Sequence, residues 1–257
     1  MRALSAFLKK EWQEALASYR LVILIVLFAL FGIMNVFTAK YTPEMITYFV
    51  SEEFAKSIPT PTLIDAWLQF FKNIGQIGVI VTVILFSGTL TQEYSKGTLT
   101  LLVTKGLSRW KIVTAKFLMN SFIFTLAYLS GISLTFIYGK FGKFYFDSME
   151  VPHLAFGLIS LWLFTIFLIA LINLGSVLCA TNYLVLLVVG GVNVILMLLN
   201  FIPDVKEYNP ISLFTAGTPL IQGDMVPSDV LPAIYVTIGI VVIIKILTIV
   251  LFNKKSL

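Results

Sequence analysis

His153 is the chain's one histidine and Cys179 its one cysteine. The side chains that most often carry acid–base, nucleophilic or metal chemistry near neutral pH are therefore nearly missing. A hydrolase would have to pair His153 with Ser130 or Ser133, and no nucleophile motif surrounds either serine. With one His and one Cys a metal site is not expected, and a single thiol closes no internal disulfide. An ion-coupled carrier needs an intramembrane acid to bind and release the driving ion. No Asp or Glu falls within the six apolar segments set out below. What remains is a set of span amides (Asn35, Gln76, Asn173, Asn193, Asn200) and one polar segment, Thr91–Lys116.

The elements that must position these groups follow from composition. Hydrophobic residues make up 58% and charged residues 12% of the 257. A soluble domain carries ~25% charged residues, so this chain has too little polar surface to cover a globule in water. Six runs are long enough for a bilayer: Leu21–Phe37, Ile74–Leu90, Phe117–Tyr138, Leu154–Leu178, Tyr183–Ile202 and Leu231–Phe252. Lipid offers no hydrogen bonds to the backbone, so each is expected to be a helix. Only Cys179–Asn182 separates the fourth and fifth, which demands a tight hairpin. With the N-terminus placed inside, the inner segments hold most of the 18 basic residues, including Lys9, Lys10, Arg20, Lys96, Lys105, Arg109 and Lys116. Most acids fall outside, and both termini are expected in the cytoplasm. The run that ends Phe37-Thr38-Ala39 lacks a small-x-small cleavage pattern and is read as retained.

The expected fold is all-α: a single polytopic membrane domain over 1–257 with six spans. Residues 1–20 form an interfacial amphipathic helix, because Leu4, Phe7, Leu8, Trp12, Ala15, Leu16 and Tyr19 repeat at three- and four-residue intervals. The alternative is a helix packed on protein. Trp67, Phe70 and Phe71 are expected at the outer headgroup level. The proline-rich stretch 203–230 contains an apolar centre, Ile211–Ile221, too short to cross, and is expected to form short extracellular re-entrant helices shielded by protein. Gly190-Gly191 and Gly175-Ser176 are expected to allow close helix approach. Lys245, the one charge within a span, is expected to snorkel to the cytoplasmic headgroups. Asn173 and Asn193 are candidates for a substrate path, although interhelical hydrogen bonding is the commoner use of such amides.

Within 91–109, Gly97 and Gly106 bracket the apolar stretch Thr98–Val103, and Ser108 is expected to cap the helix that runs on into the third span. A short helix with an apolar face, held at the cytoplasmic surface on two helical stalks, suits docking of a soluble protein. The run Glu93-x-x-x-Gly97-Thr98-Leu99, then Leu101-Leu102, Ser108-Arg109 and Lys116, resembles the hallmark of type-2 ABC transporter permeases. The amphipathic N-terminus resembles that family's connecting helix. Asn209-Pro210-Ile211-Ser212 resembles its motif after the fifth span. The similarity covers essentially the whole chain. One departure is Lys105-Gly106-Leu107, where many relatives carry a proline before Ser-Arg.

The resemblance implies that 91–109 is a coupling helix that docks on an ATP-binding subunit. Glu93, Lys96, Gly97, Thr98, Leu99, Leu101, Leu102 and Arg109 would form the docking site, with Glu93 and Lys96 making polar contacts and the leucines filling a groove. ATP would be held by the partner, since no Gly-x-x-x-x-Gly-Lys-Ser/Thr loop occurs here. The chain itself would bind no cofactor and be no enzyme. Two permease subunits, identical or sister chains, would work with two ATPases in a prokaryotic plasma membrane, export being expected. The cargo stays open. Without a soluble basic domain, a nucleic-acid partner is not expected. A non-transporting immunity or sensor protein against a peptide toxin would share the spans, as would a channel or facilitator.

Overall fold

The computed structural model describes residues 2–47, 60–141 and 151–255, and within these the chain is helical with turns and no strand. Lys56, Pro59 and Lys143 lie outside the described residues. Helix α1 (Arg2–Ala17) precedes α2 (Arg20–Thr47), with Tyr19 at a left-handed φ of 55° between them. The second span is built from α3 (Leu63–Asn73), a π turn (Ile74–Gly78), α4 (Val79–Ser87) and α5 (Thr91–Ser95). Then come α6 (Thr98–Thr104), α7 (Arg109–Phe141), α8 (Val151–Leu178) and α9 (Asn182–Leu199). Three short helices, α10 (Pro203–Lys206), α11 (Pro210–Thr215) and α12 (Gly217–Gln222), lead to α13 (Pro227–Lys254).

Among the described residues, six helices are long and apolar enough to cross a membrane, in the order expected. The first and second overrun an expected bound the furthest. The first continues from Phe37 through Pro43 to Thr47. The second begins at Leu63, where Thr62 N–H donates to Asp65 Oδ2 at 2.7 Å and caps the new start. That extension moves Trp67, Phe70 and Phe71 from the expected headgroup level into the core. Trp67 packs edge-on to Phe136 at 4.9 Å, and Phe70 lies 5.8 Å from Tyr128. Burying three aromatic faces against each other outweighs an interfacial perch.

Helix α8 is the centre of the bundle and is buried almost continuously from Leu161 to Asn173. Its neighbours close on it through small residues. Gly157 of α8 approaches Gly217 of α12, and a Cβ on Gly217 would come within 2.3 Å of the Phe71 ring. Gly175 approaches Val185 across the α8–α9 hairpin, as expected. Gly190 and Gly191 do not behave as expected: they face open space on α9, with nothing within 4 Å of a built Cβ. Asn35 accepts from Asn73 at 2.7 Å and ties α2 to α3.

The α2–α7 crossing depends on two glycines. A Cβ on Gly32 would lie 2.6 Å from the Gly131 carbonyl oxygen, and Thr135 Oγ1 donates to Gly32 O at 3.3 Å. Backbone cannot retreat as a side chain can. Gly32→Ala is therefore expected to spread α2 from α7 and lower stability by ~1–3 kcal/mol, the range for overpacked cores, read as a fall in the thermal midpoint of the purified protein.

Candidate functional site

The polar segment 91–109 forms a foot at the end of the bundle that also carries α1 and the last turn of α13. Its backbone explains its spacing. Gly97 adopts φ 68° and ends α5, and Thr98 Oγ1 donates to the Glu93 carbonyl at 3.0 Å, satisfying an orphan acceptor. Gly106, at φ 84°, ends α6 with the paired bonds of a Schellman turn: Leu107 N–H to Leu102 O at 3.2 Å and Gly106 N–H to Val103 O at 2.9 Å. A left-handed glycine thus makes the turn at the position where proline was missed.

The side chains divide into two sets. Lys96, Gly97, Leu101, Thr104 and Lys105 are exposed, Leu101 by 62%, and Thr98 and Leu102 are half-buried. Leu99 is 1% exposed and packs in a small core with Phe7, Leu90, Ile112, Val113 and Phe252. Glu93 is also buried. Both were expected to face a partner, and both instead face inward. The reason is helical phase: Leu99 lies opposite Leu101 on α6, so one can point outward only if the other points in. Arg109 is also drawn inward. Its Nη1 donates to the carbonyls of Phe252 at 2.9 Å, Asn253 at 3.1 Å and Lys255, closing the end of α13.

Glu93 belongs to a buried ion cluster that joins three elements. Lys116 Nζ of α7 is 3.1 Å from both carboxylate oxygens of Glu11 on α1 and 3.1 Å from Glu93 Oε2 on α5. Lys10 bridges Glu93 and Glu11, and reaches Glu14 at 2.6 Å, which Arg20 also approaches at 3.4 Å. Lys116, Glu11 and Glu93 are all nearly inaccessible to solvent. Burial opposes the charge of Lys10, but its hydrogen bonds to Glu14 and Glu93, with the charges of Glu11 and Glu93, hold its pKa above the ordinary lysine value. Burial likewise raises Glu14, yet the Lys10 hydrogen bond and the nearby cations keep its pKa below the usual carboxylate value.

Helix α1 therefore packs on protein along its buried Phe7, Glu11 and Ala15, while Trp12 reaches Phe122 at 5.9 Å. Leu16 and Tyr19 remain exposed on the same helix. Glu11 was the residue missed. It stands four residues from both Phe7 and Ala15, on the apolar face, and an acid at such a position signals a buried partner. Lys245 does not snorkel: its Nζ is buried and lies 4.2 Å from the Phe117 ring centre. The aromatic face attracts the cation.

Of the two path candidates, Asn193 lines a cavity of about 590 Å³ bounded by α4, α8, α9 and α11. Gln76, Ile80, Phe164, Gly190 and Phe214 share its wall. Asn193 Nδ2 donates to Val189 O at 2.8 Å. Asn173 is buried in the α8 core instead, away from this wall, and neither of its amide atoms is hydrogen-bonded.

A six-span helical body with a polar foot between its second and third spans is the architecture of a transporter's membrane component. The chain belongs to the ABC-2 family of transporter proteins, whose sequence profile matches residues 5–257. It is also 22% identical over 166 residues to an uncharacterized transmembrane protein, YxlG, of Bacillus subtilis (strain 168), with 63% of each chain covered. The chain thus spans about two thirds of that relative's length.

Removing Lys116 leaves two buried carboxylates with only the half-exposed Lys10 as counter-charge. Lys116→Met is expected to destabilise by ~3–5 kcal/mol, as for one partner lost from a buried pair, with partial recovery when Glu11→Gln is added, both read by thermal unfolding. The pH profile has a definite sign. Glu14, depressed in the fold, contributes stability above its unfolded value that is lost as pH falls through the folded pKa. Lys10, raised, contributes stability that is lost as pH rises through its folded value. Thermal stability should therefore plateau between about pH 5 and 10 and fall on both sides, and Lys10→Met should flatten the alkaline fall.

Proposed function

We propose that this chain is the permease subunit of an ATP-driven exporter, coupled through its foot to a separate ATP-binding subunit. Family membership makes the chain a transporter's membrane component. The observation that carries the finer reading is α6 itself. Held between two left-handed glycines, it presents Leu101, 62% exposed, flanked by exposed Lys96 and Lys105. A solvent-facing leucine on a two-turn helix, ringed by cations, suits an apolar pocket with an acidic rim on a soluble partner. The foot would lie in the cytoplasm with both termini, since the basic residues gather at that end. The ion cluster would then pass movement of α6 to α1 and α7. A dimer of permeases is part of this reading: α9 leaves Tyr183, Leu187, Gly190 and Gly191 open on one face.

The test uses the inward and outward leucines as a pair. Leu101→Asp should cut co-purification of a co-expressed ATP-binding subunit about tenfold or more, equivalent to ~1.4 kcal/mol, with an unchanged thermal midpoint. Leu99→Asp should instead lower the midpoint by burying an unpaired charge. Full association retained by a folded Leu101→Asp variant would remove α6 as the docking element.

A further inference from the structure

The central cavity is flanked along the second span by two others, with each of which it shares wall residues. Ile84 and Leu186 line both it and a cavity of about 470 Å³ at the foot end, whose other walls include Ser87, Gln92, Lys96 and Asn182. Gln76 and Phe214 line both it and a cavity of about 730 Å³ at the opposite end, where Gln69, Lys72, Lys206 and Ser212 contribute. No acidic side chain lines any of the three. Lysine therefore marks each end, and the middle is apolar except for Gln76 and Asn193. Lys72, Lys96 and Lys206 are exposed and form no ion pair among the described residues. An unbroken helix from Lys72 to Lys96 would rise ~36 Å, against a hydrocarbon core of ~30 Å. Exposed cations thus stand at the two ends of this row of cavities.

We infer that this groove takes an anionic amphiphile, its acidic head resting on Lys72 and Lys206 at one end or Lys96 at the other and its chain lying along the apolar middle. This rests on the permease reading and adds the cargo's chemistry to it. A small free anion has no counter-charge between the ends, and a desolvated charge in the apolar stretch is costly. A cationic or neutral amphiphile leaves the lysines unused. An apolar tail satisfies the wall of Ile80, Leu186 and Phe214, and the two amides accept or donate to polar groups at the head–tail junction.

The experiment is native mass spectrometry of the full chain, purified in a neutral detergent and given equal amounts of dioleoyl phosphatidic acid and dioleoylglycerol, which share tails and differ in the head. Retention of the phosphatidic acid should exceed that of dioleoylglycerol by about tenfold or more, since a tenfold preference needs only ~1.4 kcal/mol. Lys72→Glu with Lys206→Glu should reduce it at least fivefold, and Asn193→Trp, which fills the central cavity, should abolish it. Lys140→Glu, an exposed charge outside the groove, should change nothing. Thermal midpoints confirm folding, and Ile80→Trp replaces Asn193→Trp if the latter unfolds. Equal retention of the two lipids overturns the inference, as does an effect of Lys140→Glu matching the double variant. A cavity-filling variant that keeps the lipid but loses a dimer peak also overturns it, and assigns the groove to a second copy. No ATPase is present, so failure here leaves the coupling test above untouched, and failure of that test leaves this one standing.

Discussion

Lys116 cannot face lipid, cannot stand alone in the interior, and has no route to water. Its position is acceptable only because Glu11 and Glu93 meet it from two other elements. That requirement organises the whole end of the molecule. Helix α1 must lie against α7 to deliver Glu11, and α5 must end where Glu93 can turn inward. The left-handed glycine at 97 then follows, because the chain has to reverse immediately after Glu93 without losing its carbonyl's partner, which Thr98 supplies. A low-dielectric interior makes each of these conditions strict, since the alternative to pairing is an uncompensated buried charge.

The opposite end is organised by shape rather than charge. Gly157, Gly217 and Phe71 interlock so that α12 can seat on α8, and Leu213 and Leu220 bury the two short helices there. Between the two ends, α8 serves as a common wall. The outer helices α9 and α13 leave most of their apolar side chains exposed or half-buried, which in a chain of this composition is the surface that lipid or another membrane helix covers. The groove along α4 and α9 lies between a fixed wall and a sparsely held one.

Periodicity and apolar run length gave the six spans and the α8–α9 hairpin because the bilayer imposes one helical solution on each run. The foot was placed by its glycines, which break helices whatever surrounds them. The facing of its side chains was not legible. Glu93 and Leu99 read as surface residues because their partners, Lys116, Glu11, Phe7 and Phe252, come from distant parts of the chain. Trp67, Phe70 and Phe71 look like a headgroup belt by composition, and only the extension of α3 shows that Phe136 and Tyr128 are waiting for them. Asn193 and Asn173 were indistinguishable as amides in apolar helices, and the packing of α11 against α8 is what gave one a cavity and the other none. Gly190-Gly191 suggested a close neighbour that this chain does not provide.

The π turn at Ile74–Gly78 carries a geometric consequence. One extra residue in a helical ladder rotates everything after it by about 100° relative to what precedes. Trp67 and Phe70 therefore point into the core under one angular setting, and Gly78 meets Phe28 under another. The second span thus behaves as two rods joined with a fixed twist. Were the turn to relax to ordinary α-helical winding while the aromatic rod stayed clamped, the lower rod would spin by roughly a quarter turn. Gln76 and Ile80 would swing away from α9 and sweep the wall of the groove past its contents.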